Sequence, residues 1–466
     1  MRENNATVMQ SFRRTPLARS LRTALIGSGA VIALSSGGVV LASESGGTNT
    51  PDGEAQALSE QADHLAQAQS QADDDGSTPQ AGRSEVVQAQ TQSRPSPRHL
   101  VSSPTTIRPA GSHTNITVGG YVKGDFIVDL DDDVGDSFAV SQIALNDDQD
   151  IDSSVRMHGR QSRLHVSSET DLDGGNVLRT YIEGDFFGGG GNQLFSNSDG
   201  FRMRHAYGEY GTRAGSLLVG QTWTLFGGFN YMPTVDFFAA NGQTFLRQGQ
   251  VRWTFPNGFA VSLENPETFY GFGETDTTSA DEVPDLVLKW TGGPGGAGGN
   301  YSISGVLRQV GGTGVGVDGE AFDDTTNASG IHLGGSWDFG TVALTGGVAF
   351  GDGLGRYHLA NTSAGVIGVD GKVETINQIG VTGGISIATT ATSSVNLSVG
   401  YSERDDDFED YTPTADESGY SVHANYMFSP WPDTNFGVEV VHGGREQFDG
   451  EEGDATRLQF GAQRSF

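Results

Sequence analysis

The feature that most constrains the fold of this 466-residue chain is an alternation of apolar with polar or small residues, repeated in short runs from residue 113 onward. The last run places apolar residues at 458, 460, 462 and 466. A period of two gives a strand one apolar face and one polar face. The final strand of an outer-membrane barrel closes the sheet, and an aromatic residue there lies at the membrane interface, whereas a soluble sandwich has no such need. We therefore predict an all-β, transmembrane antiparallel β-barrel closed by the strand that carries Phe466.

Composition supports a barrel over a set of soluble domains. A chain of this length could hold about two or three soluble domains, but glycine numbers 69 and hydrophobic residues are only 35%. A barrel with a lipid-facing exterior and a wet interior needs only every second strand residue to be apolar. The absence of cysteine excludes disulfides, thiolate metal sites and a cysteine nucleophile.

The charge balance excludes one class of partner. The net charge is −31 and the pI is near 4.4, so nucleic-acid binding, which needs clustered Lys and Arg, is disfavoured. The acidic residues concentrate in predicted loops, where they can bind divalent cations or keep the surface solvated, and solvation is favoured. We predict no metal site and no cofactor.

The N-terminal part has the composition of an export signal followed by a linker. Basic residues precede the apolar stretch 24–41, which predicts a signal peptide over 1–42, with an uncleaved inner-membrane anchor as the alternative. Residues 43–112 are predicted to be a low-complexity periplasmic linker. Within it, 54–72 has Ala and Leu at three- and four-residue spacing, which indicates a short coiled coil or a flexible segment.

Sixteen strands are predicted in the barrel domain, 113–466. In the first strand, Ile116, Val118, Val122, Phe126, Val128 and Leu130 share one face, and Thr117, Tyr121, Lys123, Asp125 and Asp129 share the other. The further strands are predicted near 160–170, 177–187, 201–210, 216–225, 247–255, 259–266, 284–291, 301–311, 330–339, 341–351, 374–389, 394–404, 418–429, 435–448 and 455–466. The connections alternate between short and long, as periplasmic turns and external loops do in bacterial barrels. Sixteen strands leave an aqueous lumen.

Arginines cluster on the first strands of this barrel, and alternation directs them inward, because an arginine on the lipid face costs about 2–4 kcal/mol at the bilayer midplane. The predicted pore-lining and substrate-contacting residues are Arg160, Arg163, Arg179, Arg202, Arg204, Arg247 and Arg252. They would favour anions, since charge rings select the sign of the permeating ion and the arginine fork matches a carboxylate. The alternative is that they pair with the acids Asp125, Glu183 and Asp185 and only stabilise the wall.

The long connection 226–246 differs from the others because it is rich in aromatic residues and nearly uncharged. If this connection were exposed to water, it would form an unusual apolar surface patch. We predict that it folds into the lumen as a constriction loop, with a subunit contact as the alternative. The residues assigned to this loop are Phe229, Tyr231, Asp236, Phe237 and Phe238, and Asp236 and Arg247 are candidates for attaching its ends to the wall.

Signatures of catalysis are weak. The chain has no zinc-protease helix motif, no nucleophile elbow and no Walker loop. Two G-x-G-x-x-G matches, at 293–298 and 314–319, open no plausible helix. His165, His205, His332 and His442 are scattered without a nucleophile pattern, so no catalytic residue and no enzymatic activity are predicted.

Several motifs resemble the DcaP-like family of outer-membrane porins. They are Gly120–Asp125, Arg160–Arg163, Thr180–Phe186, Arg204–Glu209 and Leu217–Trp223, which cover about the first third of the barrel. The resemblance implies a trimeric, sixteen-stranded porin with an N-terminal periplasmic coiled coil that takes up small carboxylated solutes such as dicarboxylates. Arg464 departs from the pattern, because barrel C-terminal signatures usually carry an apolar residue there.

The sequence thus predicts a passive channel of the bacterial outer membrane, a homotrimer that prefers small anions. The rival hypotheses are a structural or adhesion barrel with a blocked lumen, and a barrel enzyme.

Overall fold

The computed structural model describes residues 105–145, 153–192, 196–228, 233–244, 246–293, 299–359, 364–405 and 411–466. The predicted signal peptide, the predicted coiled coil and most of the predicted linker lie outside the described residues, as do Phe229 and Tyr231.

In the described part of the chain, sixteen antiparallel strands form one closed barrel, which confirms the predicted fold class. They are β1 (Thr114–Asp129), β2 (Arg163–Leu172), β3 (Asn176–Asn192), β4 (Ser198–Thr212), β5 (Gly215–Trp223), β6 (Arg247–Thr254), β7 (Phe259–Glu264), β8 (Asp285–Gly292), β9 (Asn300–Val315), β10 (Ala321–Asp338), β11 (Val342–Asp352), β12 (Asn377–Thr390), β13 (Ser393–Arg404), β14 (Asp416–Phe428), β15 (Thr434–Gln447) and β16 (Glu452–Ser465). Each strand pairs with the next, and β16 pairs with β1 from Arg457↔Asp129 to Ser465↔Tyr121. The ring is closed without a free edge along this stretch.

Alternation along the strands produces an apolar exterior and a polar interior. Apolar side chains such as Val122 and Met157 are 62% and 64% exposed, whereas Lys123, Asp125 and Asp129 on the opposite face of β1 are buried. The inside and outside assignments predicted for β1 agree with this burial pattern. In water this exterior would be a large exposed patch, but in lipid it is the surface expected of a membrane barrel.

A third segment of the chain pairs with β1 near its seam with β16. Phe466 exchanges backbone hydrogen bonds with Gly120 (3.0 and 3.2 Å). Beyond that point a short strand, Thr105–Ile107, pairs with β1 in the register Thr105↔Val118 to Ile107↔Ile116. Three residues of the predicted linker therefore continue the sheet where the last strand stops.

The largest difference from the predicted boundaries is the β9–β10 hairpin. The sequence predicted a loop over 312–329, but β9 continues to Val315 and β10 begins at Ala321, with Gly319 (φ +83°) in the turn. Alternation predicts strands from apolar residues, and this part of β10 carries Asp and Thr instead. The hairpin is stabilised by backbone pairing, which a polar sequence also allows.

The long connections fold inward and bury apolar side chains inside the barrel. In one cluster, Val134, Phe138, Val140 and Ile143 of the β1–β2 connection pack on Val441 and Ala455 of β15 and β16. In another, Leu225, Phe226, Leu354 and Tyr357 pack on Ala260, Val287 and Val306 of β7, β8 and β9. Part of the lumen is therefore filled by connections rather than by strand side chains.

Helical structure in the described ranges consists of three-residue 3₁₀ turns at Val140–Gln142, Asp173–Gly175 and Gly355–Tyr357. No helix in these ranges is long and apolar enough to span a membrane.

Candidate lumen site

The structure brings four of the predicted arginines together around two acids of β3. Arg202 of β4 binds Asp185 with two hydrogen bonds, from Nε (2.9 Å) and Nη2 (2.8 Å). Arg204 donates to Glu183 Oε1 (2.6 Å) and to Asp185 Oδ2 (3.0 Å), and its side chain is fully buried. Arg163 Nη1 lies 3.8 Å from Glu183 Oε1. These contacts make one network across β2, β3 and β4.

A β-bulge explains how two consecutive residues of β4 enter this network. Glu183 pairs with His205 and Gly184 pairs with Met203, so Arg204 has no residue opposite it. A bulge inserts one extra residue and redirects the side chains around it. As a result Arg204 and His205 are both buried, and His205 Nδ1 lies 3.0 Å from Thr222 Oγ1.

Arg247 completes the group. It begins β6, and its guanidinium lies 4.8 Å from the ring centre of Trp223, a cation–π arrangement. We call Arg163, Arg202, Arg204, Arg247, Glu183 and Asp185 the arginine cluster. Four guanidinium groups and two carboxylates leave this cluster with two positive charges in excess, on one inner wall of a strongly acidic chain.

The other three predicted arginines lie apart from the cluster. Arg160 precedes β2 and forms ion pairs with Asp136 and Asp199. Arg179, near the opposite end of β3, donates to Glu169 Oε2 (2.8 Å). Arg252 of β6 donates to Gln250 Oε1 (2.9 Å) and to the Trp223 carbonyl.

The second half of the predicted constriction loop, 233–244, lies against the far wall inside the barrel. Glu439 of β15 accepts hydrogen bonds from the backbone N–H groups of Val235 (3.0 Å) and Asp236 (2.8 Å). Lys123 Nζ donates to the Val235 carbonyl (2.7 Å). Asn241 N donates to Ser421 Oγ (2.8 Å). The chain thus passes from β5 to the wall formed by β14, β15, β16 and β1.

Both ends of this loop carry a residue proposed as an attachment point. Asp236 is bound by Arg457 of β16, whose Nη1 lies 2.9 Å from Oδ2, and it also accepts from the Phe138 N–H. Arg247, the other candidate, stacks on Trp223 instead. Phe237 and Phe238 are buried, and Phe237 packs on Phe187 with ring centres 4.1 Å apart.

Sequence reasoning missed a second set of inward basic residues on the later strands. They are Lys289, Arg308, Arg404, Arg445 and Arg457. Arg457 binds Asp129 (2.6 Å) and Asp236, and Arg308 binds Asp285 (3.0 Å). The same alternation predicts that they face inward, for example Arg457 and Gln459 opposite Leu458 and Phe460, but on the later strands they are not clustered in the sequence.

Asp125, suggested as an arginine partner, lies beside Lys123 (3.5 Å) and accepts from Gln459 Nε2 (2.9 Å). Among the described residues, no group of three or more His, Asp or Glu side chains could hold a metal ion.

Comparison with known proteins identifies the fold. No family model matches the chain, and no curated protein matches it. Among solved structures, the outer membrane channel DcaP of Acinetobacter baumannii is similar over 77% of this chain and 99% of its own length, with 23% identity and a TM-score of 0.67.

Two further structures are more distant. An anion-selective porin from Comamonas acidovorans is 15% identical and covers 76% of this chain and 100% of its own length, with a TM-score of 0.48. Salmonella typhi OmpF in complex with daunomycin is 11% identical and covers 78% of this chain and 100% of its own length, also with a TM-score of 0.48. These two likenesses are too distant to carry an argument. The chain has the sixteen-stranded outer-membrane barrel fold of the DcaP channel.

Proposed function

We propose that this protein is a passive diffusion channel of the bacterial outer membrane that prefers small anions, including dicarboxylates. The observation that carries the proposal is the excess of two positive charges in the arginine cluster, on an inner wall of a closed barrel. A channel selects by the sign of the charges along its path, and it needs weak binding rather than catalysis.

The paired arginines and the excess charge have different roles in this proposal. Arg202 and Arg204 neutralise Glu183 and Asp185 and hold the wall together. Arg163 and Arg247 bring the cluster to four guanidinium groups against two carboxylates; Arg163 Nη1 lies 3.8 Å from Glu183 Oε1, and Arg247 stacks on an indole ring. Selectivity therefore depends mainly on Arg163 and Arg247.

The test is the double variant Arg163→Gln with Arg247→Gln, studied in a planar bilayer. We expect its reversal potential in a potassium chloride gradient to shift toward cation preference, because the excess charge is removed and the bracing pairs remain. The matched control is Arg464→Gln with Arg213→Gln, which removes two charges far from the cluster. Equal reversal potentials for the unaltered protein and the double variant would refute the role of these arginines.

The inward-folded connections favour one alternative, a structural or adhesion barrel with a blocked lumen. They bury apolar clusters inside the barrel on two sides. Folded protein that is heat-modifiable on a gel but gives no conductance would support this alternative over the channel.

Assembly as a homotrimer is a second part of the proposal, supported by the resemblance to DcaP-like porins. We expect stepwise conductance in groups of three and a trimer mass in mild detergent. The proposal also keeps residues 1–42 as a signal peptide, 43–112 as a periplasmic linker with a coiled coil at 54–72, and 113–466 as the channel domain.

A further inference from the structure

Arg404 differs from the other buried arginines that face the inside of the barrel. It is the last residue of β13 and only 4% exposed. Its Nε, Nη1 and Nη2 atoms are all buried without a hydrogen-bond partner among the described residues. Arg308 and Arg457, by contrast, are bound by carboxylates and backbone carbonyls. Burying a guanidinium without hydrogen-bond partners is unfavourable, and this points to a ligand that would supply them.

Among the described residues, no acid forms an ion pair with Arg404 within 4.0 Å. The charge of Asp416 acts on Arg404 from further away, and the Asp416 carboxylate binds Arg445 Nη1 (2.9 Å). The guanidinium lies 5.4 Å from the ring centre of Phe272, which fixes one of its faces. Its N–H donors lie in the guanidinium plane and are not hydrogen-bonded to any described residue.

Further polar groups lie on this part of the wall. Gln243 and Thr244 of the loop pair with the short strand His358–Leu359. The side-chain oxygens of Gln243 and Thr244, and Gln243 Nε2, are buried without a hydrogen-bond partner in the part of the chain that the structure describes. Burial, and after it the charge of Arg404, lower the pKa of His358 to about 3, so the ring is uncharged at neutral pH. Arg404 is therefore the cationic group of this polar surface.

Topology places Arg404 across the barrel from the arginine cluster. β13 is eight strands from β5 in a closed ring of sixteen, and β5 lies between β4 and β6, which carry Arg202, Arg204 and Arg247. Arg404 ends an odd-numbered strand, and Arg247 begins an even-numbered one. In an antiparallel ring these positions lie at the same rim, the side of the long connections.

We propose that Arg404 and His358, with Gln243 and Thr244 paired to the short strand that carries His358, form a second anion subsite that binds a small oxyanion, a carboxylate or a phosphate group. The subsite rests on the proposed channel function, which it extends from a single cationic wall to two facing positions. A planar guanidinium binds a carboxylate or phosphate through two parallel hydrogen bonds, and uncharged neighbours leave the bound anion as its counter-ion.

The test is calorimetric titration of the full-length protein in detergent with succinate and, separately, with inorganic phosphate, in a low-chloride buffer. Losing a charge-assisted pair should weaken binding by about tenfold or more in Arg404→Gln. Arg404→Lys should fall in between, because lysine keeps the charge without the fork. Arg464→Gln, an equal charge change on an exposed arginine, should bind like the unaltered protein.

Weakening of succinate alone identifies a carboxylate subsite, and weakening of phosphate alone identifies a phosphate subsite; either supports the proposal. Unchanged affinity for both anions in Arg404→Gln, or no binding to the unaltered protein, overturns it. The titration does not depend on ion conduction. A failure of the subsite and a failure of the selectivity role of Arg163 and Arg247 can therefore be told apart.

A stability measurement keeps the proposal testable if Arg404→Gln folds poorly. Replacing an unpartnered buried charge with an apolar side chain of similar length removes a desolvation cost. Functional residues often lower stability in this way, so replacing them raises it. Arg404→Met should therefore raise the thermal midpoint in anion-free buffer, whereas Arg457→Met should lower it. A lower midpoint for Arg404→Met would show that Arg404 is structural and would overturn the subsite.

Discussion

Glu183 and Asp185 on β3 determine how the arginines of the inner wall are arranged. Both acids face inward beside each other, and together they accept hydrogen bonds from Arg202 and Arg204. An acid buried without such partners would be strongly destabilising, and so would an arginine whose acid is removed.

Removing Arg204 should therefore damage the fold more than it changes selectivity. We expect Arg204→Met to lower the free energy of unfolding by about 3–5 kcal/mol, because two buried carboxylates lose a partner. The measurement is urea unfolding followed by heat-modifiability on a gel. The control is Arg179→Met, which breaks the partly exposed pair with Glu169 and should cost at most about 1 kcal/mol. Equal losses in the two variants would contradict this account.

The sequence could predict that these arginines face inward, because alternation assigns the face of each residue on a regular strand. It could not predict which acids they bind. Arg204 enters the network through a bulge that shifts the register by one residue, and that shift depends on pairing between β3 and β4. The environment of Arg404 could not be predicted either, because connections far away in sequence form it, through Phe272 and His358.

At the scale of elements, the loop segment 233–244 is held to the wall by polar contacts near both of its ends. Glu439 accepts two of its N–H groups, and Asp236 is bound by Arg457. At the other end Asn241 donates to β14, and buried aromatic residues lie between these contacts.

Weakening the contacts of Asp236 should widen the pathway. We expect Asp236→Ala to increase single-channel conductance and its fluctuations, because Arg457 keeps Asp129 but the loop loses its ion pair. The measurement is single-channel recording at fixed salt. Asp449→Ala, the same charge change in an exposed turn, should conduct like the unaltered protein. A conductance unchanged or reduced in Asp236→Ala would contradict a constricting role for the loop.

The β1–β2 connection provides a prediction on pH. Burial raises the pKa of Asp133, but hydrogen bonds from Arg156 and the Gly135 N–H outweigh it and hold that pKa below its usual value. A carboxyl group with a lowered folded-state pKa stabilises the fold above its unfolded pKa of about 3.9, and this contribution is lost as pH falls through the folded value.

Protection of residues 131–145 against hydrogen exchange, corrected for the intrinsic rate at each pH, should therefore be constant from neutral pH to about pH 4 and fall below it, as Asp133 is protonated. In Asp133→Asn, most of this pH dependence of the exchange of residues 131–145 should disappear. If the variant shows a change of the same size below about pH 4, another acid causes it.

For the molecule as a whole, the arginine cluster and the exposed surface carry charges of opposite sign. The chain carries a net charge of −31, with acids such as Glu451, Glu452 and Asp454 exposed in the β15–β16 turn and at the start of β16, while the arginine cluster is positive and largely buried. Exposed charges are screened beyond about 10 Å at 0.1 M salt and about 3 Å at 1 M, whereas buried charges are screened much less.

Anion preference should therefore increase with ionic strength, because salt removes the outer repulsion first. The measurement is the reversal potential at a constant salt ratio and rising mean concentration. A variant with Glu451→Gln, Glu452→Gln and Asp454→Asn should prefer anions more strongly at low salt and depend less on salt. A preference that falls steadily with salt would place the selective charge at the surface.

The short strand beside Phe466 has a consequence for biogenesis. β1 offers one edge to two different parts of the chain: β16 occupies its upper portion and Thr105–Ile107 its lower portion. An uncovered lower portion would be an adhesive edge, able to recruit a strand from a second molecule. The segment before β1 thus covers the backbone groups of β1 that β16 leaves unpaired. A chain from which the residues up to 107 are removed should insert and close, yet aggregate more readily than the intact chain.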